Sequence, residues 1–263
     1  MVRILFIGDI VGRSARVFLK ENLPEFLQKE KIDFAIANAE NAAGGSSLTE
    51  KTAREIFLAG IDVLTLGDHT FKKNDVRSVL STMDVIRPLN YGPSAPGRGV
   101  ITKVKNLGSK EVNISVVNLQ GRIFMQPLDN PFLAVKNILE DLRQQSNIII
   151  VDFHAEATSE KVAMGFFLAG KVSAVLGTHT HIPTADEKIL ENYTAYITDV
   201  GMTGPRESVL GRRKEDVLEK FIANVPVRFN LSENKVVMQG VVMDIDEISG
   251  QAQSIKRVSL KNS

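Results

Sequence analysis

The 263-residue sequence contains no cysteine. That excludes disulfides, iron–sulfur clusters, thiol catalysis and cysteine-zinc sites, and it fits a reducing compartment. No apolar run approaches the ~18 residues that a membrane helix needs. The stretch at 2–7 is too short for a signal peptide and gives way at once to polar sequence. A cytoplasmic protein is expected, with no membrane partner. Charge of one sign is missing too: 32 basic and 31 acidic residues leave a formal net charge of +1. No global field therefore draws the chain to nucleic acid, and no stable nucleic-acid complex is expected. A Gly-x-Ser-x-Gly elbow is absent, and Gly8-Asp9-Ile10-Val11-Gly12 fits neither a dinucleotide fingerprint nor a P-loop. With no repeat, low-complexity tract or linker, 1–263 reads as one domain.

Short apolar runs alternate with segments of helical spacing, the pattern of an α/β architecture. Strands are expected at 4–7, 33–37, 63–66, 148–153 and 173–176, and helices at 14–29, 49–59, 132–144 and 158–169. The pair 99–105 and 111–119 reads as a hairpin, and 185–258 as short strands around one helix near 214–223.

The chain has only four histidines, and all lie in segments suited to a metal. His69 follows Gly67-Asp68, His154 follows Asp152-Phe153, and His179 and His181 are two apart. In an extended segment that spacing points both rings the same way. Asp9 and Glu40 add carboxylates; alone, Asp9 would serve equally as a helix cap. Imidazole with carboxylate suits Zn, Fe and Mn. Asp9, Glu40, Asp68, His154 and His179 each follow a predicted strand by one to three residues. Ligands of open α/β sheets bind outside the carboxyl ends of their strands, so five segments can meet at one rim.

Gly8-Asp9, Asn38-Ala39-Glu40-Asn41, Leu66-Gly67-Asp68-His69-Thr70, the run from His154 to Lys161, Gly177-Thr178-His179-Thr180-His181 and the run from Thr198 to Gly204 carry a resemblance over nearly the whole chain. Together they resemble the calcineurin-like metallophosphoesterases, specifically the bacterial YmdB-like branch. The resemblance implies a two-sheet sandwich flanked by helices, with a dinuclear centre of divalent or mixed-valence Fe, Mn or Zn at one edge. It assigns Asp9, Glu40, Asn41 and His181 to one metal. Glu40, Asp68, His154 and His179 go to the other, with Glu40 bridging, and His69 is the catalytic histidine.

The implied activity is hydrolysis of small phosphodiesters such as 2′,3′-cyclic nucleotides by a metal-bridging hydroxide, with His69 as general acid. A homo-oligomer is implied as well. The alternatives are a phosphomonoesterase and a metal-binding regulatory protein with vestigial catalysis. Asp68 stands where the family ordinarily has Asn. Ionised, it would make a hydroxide-bridged divalent pair neutral rather than singly positive, lowering turnover or changing metal preference.

Two residues are candidates for holding the rest of the substrate. Arg13 can reach a phosphate or be a solvated arginine at a helix start. Phe124, in loop 120–131, can stack on a base or lie buried under the loop. The basic run Arg206, Arg212, Arg213 and Lys214 reads as solvated.

Overall fold

The computed structural model describes residues 1–108 and 110–261. In chain order the elements begin with β1 (Val2–Ile7), β2 (Asp9–Ile10), α1 (Gly12–Lys29), β3 (Phe34–Asn38), α2 (Glu50–Leu58), β4 (Val63–Thr65) and α3 (Val76–Thr82). There follow β5 (Val100–Leu107), β6 (Lys110–Gln120), α4 (Pro131–Gln145), β7 (Ile148–His154), α5 (Thr158–Leu168) and β8 (Ala174–Thr178). The last are β9 (Lys188–Leu190), β10 (Thr194–Ile197), β11 (Met202–Pro205), α6 (Lys214–Ala223), β12 (Val236–Ile245) and β13 (Ala252–Lys261).

The strands form two sheets. One runs β2-β11-β12-β1-β3-β4 with β13 against β12; the other runs β5-β6-β7-β8-β10-β9. β1, β3 and β4 are parallel neighbours, as are β6, β7, β8 and β10. Alternation along each strand sorts its side chains between layers. Ile4 and Phe6 of β1, Phe34 and Ile36 of β3, Ile114 and Val116 of β6, and Ile148 and Ile150 of β7 share the core between the sheets. Leu5 and Ile7 pack instead with Phe18 and Leu19 of α1. Ile149, Val151 and Phe153 pack with Met164 and Leu168 of α5. The result is a two-sheet sandwich with helices on both outer faces.

Local chemistry matches the boundaries. Thr49 makes a reciprocal capping box with Thr52 at the start of α2. Asn130 accepts the Phe132 and Leu133 amides ahead of Pro131 in α4. One helix was not anticipated and one expectation fails. α3 has only Val76, Val79 and Leu80 buried, too few positions to establish a helical period. At the C-terminus, β12 and β13 have ten residues each and pair antiparallel, so the strands there are long rather than short.

Candidate metal centre

The inner faces of five strands change character toward their carboxyl ends. Phe34 and Ile36 lead to Asn38, Val63 to Thr65, Val116 to Asn118 and Gln120, Ile150 to Asp152 and His154, and Leu176 to Thr178. The apolar core between the sheets thus ends in a buried polar patch, and the candidate ligands stand over it. Segments from both sheets contribute, so the shared rim belongs to the sandwich rather than to a single open sheet.

Two groups meet there. Glu40, Asp68, His154 and His179 each offer a ligand atom, and these atoms lie within 4.8 Å of one another. His154 Nε2 is 3.2 Å from Asp68 Oδ1, 3.3 Å from Glu40 Oε2 and 3.0 Å from His179 Nδ1. Beside them, Asn41 Nδ2 is 3.1 Å from Glu40 Oε1 and 3.3 Å from His181 Nε2, which lies 3.7 Å from Asp9 Oδ1. Glu40 touches both groups.

Asp9 is fully buried, and its Oδ1 has no hydrogen-bond partner among the described residues. A buried carboxylate oxygen in that condition calls for a cation. Space agrees. A Cβ on Gly67 would meet His154 Nε2 at 2.3 Å and Glu40 Oε2 at 2.5 Å, so only glycine admits these side chains. The donor set of carboxylate, amide and imidazole therefore fits divalent ions.

Electrostatics point the same way. Burial would lower the His154 pKa, but Glu40 and Asp68, with Asp9 behind them, hold it well above the ordinary value. Burial would raise the Asp68 and Glu40 carboxyls, but the neighbouring imidazoles hold both below the usual range. Asp9 is pushed up by burial. The cluster is a concentration of negative charge that binds positive charge, whether proton or metal.

A supporting shell fixes each imidazole. Thr178 Oγ1 donates to Asp152 Oδ1 at 2.7 Å, so its oxygen accepts from His154 Nδ1 at 2.9 Å. The Nε2 lone pair of His154 then faces the cluster. Asp152 also takes the Thr65 hydroxyl and the Asn38 amide, and burial raises its carboxyl to about 6. Glu156 Oε2 lies 3.0 Å from His179 Nε2, which turns Nδ1 inward. His181 Nδ1 donates to the Leu210 carbonyl at 3.2 Å, freeing Nε2 for Asp9 and Asn41.

His179 and His181 do not alternate along a strand. β8 ends at Thr178, and the two have φ of +100° and +65°. Such conformations cost about 1–3 kcal/mol each and need enforcement. Asp199 supplies it, accepting the Thr180 amide at 3.1 Å and hydroxyl at 2.7 Å, and pairing with buried Lys161 at 2.7 Å. The strained turn sends His179 to the Asp68 group and His181 to the Asp9 group.

His69 sits at the rim, about a third exposed. Its backbone amide donates to Glu40 Oε2 at 3.0 Å, and its Nδ1 donates to Asn41 Oδ1 at 2.8 Å. Nε2 is left open, 3.7 Å from Asp68 Oδ2. The tentative substrate contacts lie elsewhere. Arg13 lines a groove with Arg16, Thr49, Lys73 and Leu231, and no described hydrogen bond or ion pair joins it to Asp9. Phe124 is 90% exposed at φ +61°, so it is not buried under its loop. Arg212 is not freely solvated either: its guanidinium donates to Gly45 O at 2.8 Å, and burial lowers its pKa.

Sequence reasoning missed Asp152, Thr178, Glu156 and the Lys161–Asp199 pair as supports. The signal available was polar residues continuing the inward-facing register of apolar strands.

A family model described as YmdB-like protein matches residues 5–258. The chain is 45% identical to a 2′,3′-cyclic-nucleotide 2′-phosphodiesterase of Bacillus subtilis, covering 99% of this chain and 98% of that one. A crystal structure of a hypothetical protein from Thermus thermophilus superposes with a TM-score of 0.92 at 37% identity, covering both chains fully. A phosphatase from Mycoplasma pneumoniae gives 0.91 at 34% identity, covering 99% of this chain and 93% of that one.

Proposed function

We propose that this chain, which belongs to the YmdB-like protein family, is a metal-dependent phosphodiesterase acting on small phosphodiesters, 2′,3′-cyclic nucleotides among them. The observation that carries the reading is the meeting of two imidazole–carboxylate groups around Glu40, with His69 Nε2 open at their edge. Asp9, Glu40, Asn41 and His181 would hold one ion, and Glu40, Asp68, His154 and His179 the other. Fe, Mn and Zn all suit these donors. When bound, such a pair supplies Lewis acidity to phosphoryl oxygens and lowers the pKa of water.

The protein's own groups supply the rest. Asn41 occupies Nδ1 of His69, so the transferable proton of an imidazolium resides on Nε2. From there it passes to the departing ribose oxygen as the ester bond breaks. Asp68 Oδ2 lies 3.7 Å from that nitrogen, on the side of the metal groups. The Glu156, Thr178 and Leu210 contacts hold three imidazoles in the tautomers that face the phosphate side. Arg13 and Phe124 are assigned to the outer parts of the substrate. Phe124 offers an exposed ring on the loop leaving Gln120, and Arg13 a cation in a groove behind Asn41.

A homo-oligomer in the cytoplasm belongs to the same reading. Leu218, Phe221, Ile222, Val225 and Phe229 expose apolar surface on and after α6, and near-zero net charge leaves copies with little mutual repulsion. Among the described residues, no helix is long and apolar enough to cross a membrane.

The test is turnover of 2′,3′-cyclic AMP, bis-p-nitrophenyl phosphate and p-nitrophenyl phosphate with manganese, iron or zinc. Diester cleavage is expected. Cleavage confined to the monoester would make the chain a phosphomonoesterase, and no cleavage with any metal would leave a regulatory metal-binding protein.

A further inference from the structure

Gln120 is the last residue of β6 and is fully buried, yet its side-chain Nε2 has no hydrogen-bond partner among the described residues. A buried amide donor left in that state costs about 1–3 kcal/mol unless something binds it. Its position defines what it faces. Gln120 is the register partner of His154 across the parallel β6–β7 pair, so the two side chains leave the same face about 4.8 Å apart. Asn118, two residues earlier on that face, accepts the Leu66 amide at the start of the Asp68 loop. The free donor of Gln120 therefore belongs to the rim of the candidate metal centre.

A second free donor stands next to it. Gln126 Nε2 donates to the Tyr91 hydroxyl oxygen at 2.5 Å and to Gln120 Oε1 at 3.5 Å, using both of its protons. With its oxygen accepting, Tyr91 keeps its own O–H proton to give away. The ring of Tyr91 is held by Phe71, 5.2 Å away in an edge-to-face contact, and Phe71 is two residues beyond His69. Burial raises the Tyr91 pKa, and the charges of Asp68 and Glu40 raise it further. Phe71, Tyr91, Gln126 and Gln120 thus form an arc from His69 round to His154, with two unsatisfied donors and an aromatic wall.

We propose that Gln120 and Tyr91, oriented by Gln126 and Phe71, form the subsite for the nucleoside half of a cyclic nucleotide whose phosphate lies over the metal centre. The proposal rests on the phosphodiesterase reading above. The amide and phenol donate to acceptor oxygens and nitrogens of ribose and base, and a phosphodiester without a nucleoside gains nothing from them. The arc is a specificity device rather than part of the bond-breaking step.

The test uses Gln120→Met, which removes the amide at similar volume, and Tyr91→Phe, which removes only the hydroxyl and keeps the contact with Phe71. Manganese-loaded protein is assayed on 2′,3′-cyclic AMP and on methyl p-nitrophenyl phosphate, and adenosine binding is measured by equilibrium dialysis. Each variant should lower the ratio of kcat/KM for the nucleotide over the simple diester by about tenfold, through KM. Adenosine should bind correspondingly more weakly, at unchanged metal content. Unchanged ratio and unchanged adenosine binding in Tyr91→Phe would overturn the subsite, whether or not Gln120→Met folds. If the native protein cleaves neither ester, the phosphodiesterase reading fails, and dialysis alone decides the subsite. Adenosine binding that Tyr91→Phe weakens would uphold it, and no binding by the native protein would overturn it.

Discussion

Asp68 joins His154 and His179 through one oxygen and faces His69 Nε2 with the other, and its carboxyl is held below the usual range. It therefore enters the site ionised, adding a negative charge that an asparagine would not. We predict that Asp68→Asn raises kcat for a cyclic nucleotide on the order of tenfold, about 1.4 kcal/mol of barrier, at saturating manganese. Equal rates and equal metal content in the two proteins would remove this role. His69→Ala is expected to lower kcat by about 10²- to 10⁴-fold, with metal content by plasma mass spectrometry unchanged. Metal lost in proportion to activity would make His69 a ligand instead. His154 sets the pH dependence of loading. Its metal-free pKa is raised well above the ordinary 6.5, so at neutral pH an entering ion displaces a proton. Affinity should climb as pH rises toward that raised pKa and then level off, whereas an affinity flat from pH 6 to 9 would contradict the assignment. Conversely, the proton on His154 stabilises the metal-free fold most at low pH, and that stabilisation fades as pH rises through the raised pKa.

Among the elements, the inner-face rows of β3, β4, β6, β7 and β8 perform two tasks in succession. Their first halves fill the core between the sheets, and their last inward residues build the polar floor of the site. The turn after β8 depends on the buried Lys161–Asp199 pair, which links α5 to the β10–β11 connection. Removing one member of a buried pair typically costs about 3–5 kcal/mol, because the other charge is left uncompensated. Lys161→Met should lower the urea unfolding free energy by about that amount and weaken metal binding through the freed 179–181 turn. An unchanged unfolding midpoint would mean that the Thr180 and Gly201 donors to Asp199 suffice without the ammonium.

For the molecule as a whole, α6 is the conspicuous surface. Only Val217 of that helix is buried, while Phe221 and Ile222 are 78% and 82% exposed. Their Phe221→Glu and Ile222→Glu double variant is predicted to shift the particle to monomer mass in light scattering without lowering its melting temperature. A native protein already monomeric at assay concentration would end the oligomer reading. After α6 and its loop the chain returns as β12, which pairs with β1, β11 and β13 in the first sheet.

Composition and pattern, taken by themselves, pointed to the α/β class, most element positions and the histidine and carboxylate candidates for metal, whereas Asn41 was named only by the family resemblance. The reason is that strand periodicity and scarce histidines are local properties, written into neighbouring positions. The motif Gly177–His181 even marked both candidate ligands while misleading about their geometry, since spacing alone cannot reveal a left-handed turn held by Asp199. What only the tertiary structure decided was long-range. The rim is shared between two sheets; Thr178 and Asp152 fix the tautomer of His154; and a free donor of Gln120 stands beside it. These depend on which strands become neighbours and in what register, and register is set by packing of the whole core.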